Sequence, residues 1–215
     1  MTNNKNQIKA VLFDMDGVLV DAREWHYDAL NNALAIFGMR IDRESHLSTF
    51  DGLSTKQKLQ ILTETRGLPK QLHNLINDIK QRVTQDIMVA KCRPIFHHRY
   101  LLSRLQQEGY KLAMCSNSVR QSVDLVARHA GLKPYLSLTL SNEDVKKPKP
   151  SPEIYLKAMQ ELNLKPEECL IVEDNENGIK AAKDSGAFVC EVSCPDDVHY
   201  QNIQCAIQRS EGVAA

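Results

Sequence analysis

Two carboxylates follow the first apolar run of the chain at a spacing that could support covalent catalysis. The run Ile8–Phe13 ends at Asp14-Met15-Asp16-Gly17. One carboxylate can attack as a nucleophile, while a second exchanges protons with the leaving group and then with water. Gly17 permits a sharp turn of the backbone after them. The alternative is an acidic turn that caps a strand, and these four residues alone do not decide between the two.

A hydroxyl and an amine of suitable type follow later in the chain. Ser116-Asn117-Ser118 comes directly after Lys111–Cys115, where Ser116 and the next backbone amides could bind an anion. Lys149 opens a Lys-Pro-Ser-Pro-Glu segment, and an ammonium fixed there could neutralise charge on a transferring phosphoryl group. The alternatives are a helix N-cap at Ser118 and a solvated basic loop around Lys149.

A second acidic pair, Glu173-Asp174, follows the apolar run Cys169–Val172. Paired carboxylates at the end of a strand suit a hard, oxygen-liganded cation such as Mg²⁺. The alternative is that Asp174 or Asn175 caps the next helix. Taken together, the motifs provide a nucleophile, an acid/base, a hydroxyl, a cation and a cradle for a metal, which is a complete set for phosphoryl transfer.

Apolar runs and helical patterns alternate along most of the chain, and this predicts an α/β fold with a doubly wound parallel sheet. The predicted strands are Ile8–Phe13, Lys111–Cys115, Leu136–Leu140, Cys169–Val172 and Ala187–Val192, and the predicted helices are Pro94–Glu108, Ser118–Ala130, Ser151–Leu162 (with Ser151 as N-cap) and Asn177–Ser185. Ligands of such sheets bind outside the carboxyl ends of the strands. The motifs would therefore converge there.

Residues 22–91 break this alternation, because they show three helical patterns of apolar residues and no convincing strand. We interpret them as an inserted all-α bundle. The predicted domains are a catalytic core of residues 1–21 and 92–215 and a helical domain of residues 22–91. The segment from about Pro195 onward gives no firm prediction.

Charge and hydropathy exclude several classes of partner. Lys+Arg and Asp+Glu each total 27, so the formal net charge is zero and there is no electrostatic case for nucleic acid or an anionic membrane. The chain contains no apolar stretch long enough to span a bilayer, and its first ten residues are polar. We expect a cytoplasmic monomer. The six cysteines form no CxxC pair and are expected to be buried free thiols.

The motifs, in this order, resemble the haloacid dehalogenase superfamily of phosphotransferases. They read AVLFDMDGVLVD, CSNS, KPSPEIY and IVEDNENG. The resemblance implies a Rossmann-like core, Mg²⁺ as cofactor and an aspartyl-phosphate intermediate. It implies these roles: Asp14 as nucleophile and metal ligand, Asp16 as general acid/base and metal ligand through its carbonyl, Ser116 and Asn117 as phosphate-binding groups, Lys149 as the phosphoryl-binding cation, Asp174 as a metal ligand, and Glu173 as a ligand or its partner.

The helical insertion is similar to the small cap of the branch that includes β-phosphoglucomutase and many sugar-phosphate phosphatases. The resemblance implies that His26, Gly52 and Thr55 help to choose the substrate. We expect hydrolysis of a small phosphorylated metabolite, a sugar phosphate in particular. A β-phosphoglucomutase-like isomerase is the alternative, and it is weakened because Ala22 and Thr55 stand where mutases usually have threonine and arginine. A non-catalytic binding module would have been signalled by loss of Asp14, Asp16 or Asp174.

Overall fold

The computed structural model describes residues 7–50 and 53–212. The chain divides into two compact units, one formed by residues 1–21 and 92–215 and the other by residues 22–91. The first is a helix-covered sheet and the second is helical. Each is described by itself below.

The strands and helices alternate through the first unit. Its strands are β1 (Ala10–Phe13), β2 (Lys111–Cys115), β3 (Leu138–Leu140), β4 (Cys169–Glu173) and β5 (Phe188–Glu191). The α-helices of the described residues are α1 (Arg23–Ala35), α2 (Arg43–Ser45), α3 (Thr55–Arg66), α4 (His73–Lys91), α5 (Phe96–Gln107), α6 (Arg120–His129), α7 (Glu153–Leu162), α8 (Glu176–Asp184) and α9 (Tyr200–Ser210). Helices α1 to α4 belong to the second unit.

The five strands form one parallel sheet in the order β3-β2-β1-β4-β5, with β1 at its centre. Phe13, the last residue of β1, is in register with Met114 on one side and Val172 on the other. The residues that follow these three positions therefore emerge at the same edge of the sheet. This register brings three of the chemical motifs together.

Both faces of the sheet are covered, which explains why its strands are almost entirely apolar. Helices α7 and α8 pack on the face that carries Ala10, Leu12 and Ile171. Helices α5 and α9 contact each other and strands β2 and β4, and they contribute nothing to that cluster, which places them on the opposite face. The doubly wound parallel architecture predicted from the sequence is confirmed.

The helical unit has a small core of its own. Helices α1 and α4 pack along each other, and the core includes Leu34, Leu59 and Ile76. Helix α3 begins with a capping box, in which the Ser54 hydroxyl accepts from the backbone amide of Gln57 and the Gln57 side chain accepts from the backbone amide of Ser54. A π-helical turn, His46–Phe50, follows α2 and was not predicted. The described residues of this unit contain no strand.

The structure corrects some local expectations and adds one helix. Helix α6 begins at Arg120, with Val119 rather than Ser118 at its N-cap position. Pro152 rather than Ser151 stands at the N-cap position of α7, where its side chain makes no capping bond. Helix α9 lies where the sequence gave no firm prediction. All six cysteines are free, and Cys92, Cys115 and Cys169 are buried, but Cys190 is only half-buried while Cys194 and Cys205 are exposed. Among the described residues, no helix is long and apolar enough to cross a bilayer.

Candidate active site

Asp14 emerges from the central strand into a tight turn. Its backbone amide donates to the carbonyl of Val172 at 3.0 Å, so the end of β1 stays tied to β4. Gly17 then turns the chain with a φ of 94°, a conformation that a side chain would strain. A Cβ on Gly17 would also stand 2.0 Å from Oδ2 of Asp174. The absence of a side chain at position 17 therefore lets this turn approach the second acidic pair.

The ammonium of Lys149 lies at the centre of the site. It donates to Oδ1 of Asp14 at 2.5 Å, to Oε1 of Glu173 at 2.7 Å and to the carbonyl of Cys115 at 2.9 Å. Three acceptors match the three protons of an ammonium. Lys149 is 7% exposed and Glu173 is fully buried, so this ion pair is shielded from water.

Burial and charge act on Asp14 and Lys149 in opposite senses. Burial raises the pKa of the Asp14 carboxyl well above its usual range, and the Glu173 and Asp16 carboxylates add to the rise while the Lys149 ammonium opposes it. Burial alone would lower the pKa of Lys149, but the Asp14 and Glu173 carboxylates raise it above its usual range. Lys149 therefore stays charged, and a second cation would help to keep Asp14 ionised.

The side chain of Asn117 holds the backbone of Lys149. Its Oδ1 accepts from the Lys149 amide at 3.0 Å, and its Nδ2 donates to the Lys149 carbonyl at 3.1 Å. Because the side-chain amide of Asn117 pairs with both backbone groups of Lys149, it holds the Cα atom from which the lysine side chain extends. Asn117, predicted as a phosphate-binding group, thus has a clear role in placing Lys149.

Two serines contact Asp16. The Ser118 hydroxyl donates to Oδ2 of Asp16 at 2.9 Å, and the Ser116 hydroxyl reaches the same oxygen at 3.4 Å. Ser116 Oγ also accepts from the Ser118 amide at 3.0 Å. These contacts position the second carboxylate of the first motif and explain why Ser118 does not cap α6.

Glu173 ends strand β4, and Asp174 follows it just before the start of α8. Asn175 caps α8, with its Oδ1 accepting from the Gly178 amide at 3.0 Å. A Cβ on Gly178 would stand 2.0 Å from Oε1 of Glu173, so α8 can pack over this carboxylate only because position 178 is glycine. The helix start thus closes one side of the acidic pair.

Three of these carboxylates could hold a cation. One oxygen from each of Asp14, Glu173 and Asp174 lies within 4.8 Å of the others. The donor set consists of oxygens alone, which fits Mg²⁺ better than a softer metal. Clustered anions with a single lysine among them also leave an excess of negative charge that a divalent cation would offset. The residues present therefore fit a magnesium site.

The structure brings one group of the predicted site residues together at the carboxyl edge of the sheet, namely Asp14, Asp16, Ser116, Asn117, Lys149, Glu173 and Asp174. His26 and Thr55 belong to the helical unit. Thr55 is the first residue of α3, and Nδ1 of His26 lies 3.3 Å from Nζ of Lys80. Gly52 lies outside the described residues.

Three contributors to the site were not predicted as such. Ser118 was expected at most as a helix cap, and Tyr155 fits the apolar spacing of the predicted helix Ser151–Leu162. The role of Gly178 depends on α8 approaching Glu173, which no sequence pattern reveals. For Tyr155, the available signal was its phenol, because a buried hydroxyl needs a hydrogen-bond partner.

Several known proteins are similar to this chain. Residues 11–192 match the family model described as haloacid dehalogenase-like hydrolase. A phosphorylated carbohydrates phosphatase of Thermotoga maritima is 29% identical over 83% of this chain and 82% of its own length. CbbY of Rhodobacter sphaeroides, solved in complex with phosphate, is 25% identical with a TM-score of 0.75 and 86% of each chain covered. A β-phosphoglucomutase of Clostridium difficile shares the fold, with a TM-score of 0.77, 22% identity and 94% and 98% coverage.

Proposed function

Since this chain belongs to the haloacid dehalogenase-like hydrolase family, we propose that it hydrolyses the phosphate ester of a small metabolite through an aspartyl-phosphate on Asp14. The observation that carries the proposal is the ammonium of Lys149, which joins Asp14 and Glu173 at the carboxyl edge of the sheet. A carboxylate beside a fixed cation suits attack on phosphorus, since the cation stabilises charge on the phosphoryl oxygens. Phosphatases among the relatives support a phosphoric monoester hydrolase.

The proposed reaction has two steps. An oxygen of Asp14 attacks phosphorus, the ester P–O bond breaks, and the leaving oxygen takes a proton from Asp16. Asp16 then removes a proton from water, whose oxygen attacks the same phosphorus and releases phosphate, so Asp14 is regenerated. Ser116 would bind a phosphoryl oxygen, and Lys149 would neutralise negative charge in both steps.

The side chains of Asp14 and Asp174, with the carbonyl of Asp16, would hold Mg²⁺, and Glu173 is near enough to join them or to act beside them. When bound, Mg²⁺ would supply positive charge that stabilises the charge on the phosphoryl oxygens. We favour a sugar phosphate as substrate because one relative acts on phosphorylated carbohydrates by name. The roles of His26, Gly52 and Thr55 in choosing the substrate, the monomeric state and the cytoplasmic location stay predictions from the sequence.

The test is phosphate release by pure protein from a panel of phosphorylated metabolites, with Mg²⁺ and after treatment with a chelator. We expect turnover that requires the metal, and none from Asp14→Asn. Absence of turnover on every ester would refute the proposal, as would full activity of Asp14→Asn. Conversion of a hexose 1-phosphate to its 6-phosphate with little phosphate released would instead establish the mutase alternative.

A further inference from the structure

The carboxylate of Glu173 has a full set of hydrogen-bond donors. Its Oε1 accepts from Nζ of Lys149 at 2.7 Å and from the hydroxyl of Tyr155 at 2.6 Å. Its Oε2 accepts from the backbone amide of Asp174 at 3.2 Å and from Nδ2 of Asn175 at 3.4 Å. A carboxylate oxygen accepts about two such bonds, so Glu173 is saturated by the protein itself.

Tyr155 is the donor that sequence reasoning did not identify. It lies on α7, is completely buried, and belongs to the apolar cluster beneath the sheet. Its ring centroid is 4.8 Å from Nζ of Lys149, while its hydroxyl bonds Glu173. One side chain therefore contacts both members of the ion pair, the cation through its π face and the anion through its phenol.

We propose that Tyr155 is a positioning residue. Its hydroxyl holds the carboxylate of Glu173 in place, and Glu173 in turn directs the ammonium of Lys149 towards Asp14. Because Glu173 is occupied in this way, Asp174 is the member of the second acidic pair that binds the metal. This inference deepens the proposed function and rests on it. Tyr155 does not touch the reacting phosphoryl group in this scheme. It acts through Glu173, whose Oε1 would be open to another cation if the phenol were absent.

The different burial of Glu173 and Asp174 explains why the two carboxylates would have different roles. Glu173 and Asp174 are neighbours in sequence, yet their surroundings differ, because Glu173 is fully buried and Asp174 is half-buried. A buried carboxylate that is already bonded on both oxygens gains little from a metal and would have to give up a donor to bind it. Asp174, by contrast, lies beside Gly17, in the turn that comes directly after Asp14 and Asp16.

The first experiment compares Tyr155→Phe with wild type on any ester that the wild type hydrolyses. Loss of one hydrogen bond to a buried charge should lower kcat about tenfold while KM changes less than about twofold. Tyr200→Phe is the matched control, since it also removes a phenol that bonds a glutamate, Glu108, but lies on α9. Wild-type kcat in Tyr155→Phe would overturn the inference, and so would an equal loss in the control.

The second experiment needs no substrate and so separates this inference from the proposed function. Mn²⁺ binding to the metal-free protein is titrated calorimetrically in Glu173→Gln and Asp174→Asn. We expect Glu173→Gln to weaken binding no more than about tenfold and Asp174→Asn to weaken it more than about a hundredfold. Equal weakening by both variants would make Glu173 a direct ligand and overturn the assignment. Absence of wild-type turnover would refute the proposed function alone.

Discussion

The backbone of Gly178 lies against the carboxylate of Glu173, so closely that a Cβ at position 178 would stand within 2.2 Å of both carboxylate oxygens. No rotation of the Glu173 side chain is free to relieve such a contact, because both oxygens are held by donors. Helix α8 can therefore pack this closely against the end of strand β4 only because position 178 has no Cβ atom. The first prediction follows from this contact.

We predict that Gly178→Ala displaces Glu173 and costs about 2 kcal/mol or more in the free energy of unfolding. Activity per folded molecule should also fall, because Lys149 loses its acceptor. Gly109→Ala is the control, since it strains a φ of 92° but meets nothing within 4 Å. Urea unfolding and phosphate release measure the two effects. An equal loss of activity per folded molecule in both variants would contradict the argument.

Removal of the Ser118 hydroxyl should remove the hydrogen bond that it donates to Oδ2 of Asp16. We predict that Ser118→Ala lowers kcat about tenfold with little change in KM, because the acid/base loses orientation while its chemistry is retained. Ser210→Ala serves as the control, as its hydroxyl donates to the carbonyl of Ala206 on α9. Steady-state kinetics with phosphate release provide the measurement. A larger change in KM than in kcat would assign Ser118 to substrate binding instead.

Asn117→Ala removes both bonds that fix the backbone of Lys149. We expect kcat to fall at least about tenfold, because the backbone of Lys149 is no longer held in place and its ammonium is less well positioned. The folded protein should survive, which circular dichroism can verify. Asn202→Ala removes a comparable amide bond, to the carbonyl of Asp197, far from this motif in sequence, and should leave kcat unchanged. Full activity of Asn117→Ala would argue that the three acceptors around the ammonium suffice.

His98 should make the protein less stable as the pH falls. It is 1% exposed, its Nε2 faces the carbonyl of Pro195 at 2.9 Å, and burial lowers its pKa below the usual range. Below about pH 6.5 the unfolded chain binds a proton at this position that the folded chain does not, so the free energy of unfolding declines as pH falls towards the folded pKa. Urea titrations on either side of this pH, in wild type and His98→Gln, should show a shallower pH dependence in the variant. An unchanged slope would exclude His98 as the source.

Addition of Mg²⁺ should raise the melting temperature of the metal-free protein. Cation binding to the folded state alone stabilises it by about 2.7 kcal/mol at a hundred times the dissociation constant. Asp174→Asn should abolish most of the shift, and NaCl at equal ionic strength should not reproduce it. Thermal melts measure this without any substrate. A shift of equal size in Asp174→Asn would place the cation elsewhere.

The sheet and the meeting of the motifs could be predicted from the sequence, because buried parallel strands leave an unmistakable apolar pattern and their carboxyl ends share an edge. Asp14, Lys149 and Asp174 come together for that reason. The register that pairs Phe13 with Met114 and Val172 is not visible in the pattern, yet it determines which side chains emerge level with one another.

Other parts of the site depend on tertiary packing and could not be predicted. Tyr155 satisfies the apolar spacing of α7, so its phenol looked like one more buried ring. Ser118 precedes a helix and has the type of an N-cap, but the contact with Asp16 takes precedence. In both cases a long-range polar partner gives the side chain a contact that the local sequence pattern does not reveal.

The central position of β1 in the sheet determines how the site loses activity when the protein unfolds. Asp14 is bonded through its amide to the neighbouring strand, and the other acidic pair ends that strand, so no fraying of an edge can separate them. Amide hydrogens of β1 and β4 should then exchange with solvent only through global opening. Loss of activity in denaturant should accordingly coincide with unfolding of the whole sheet rather than precede it.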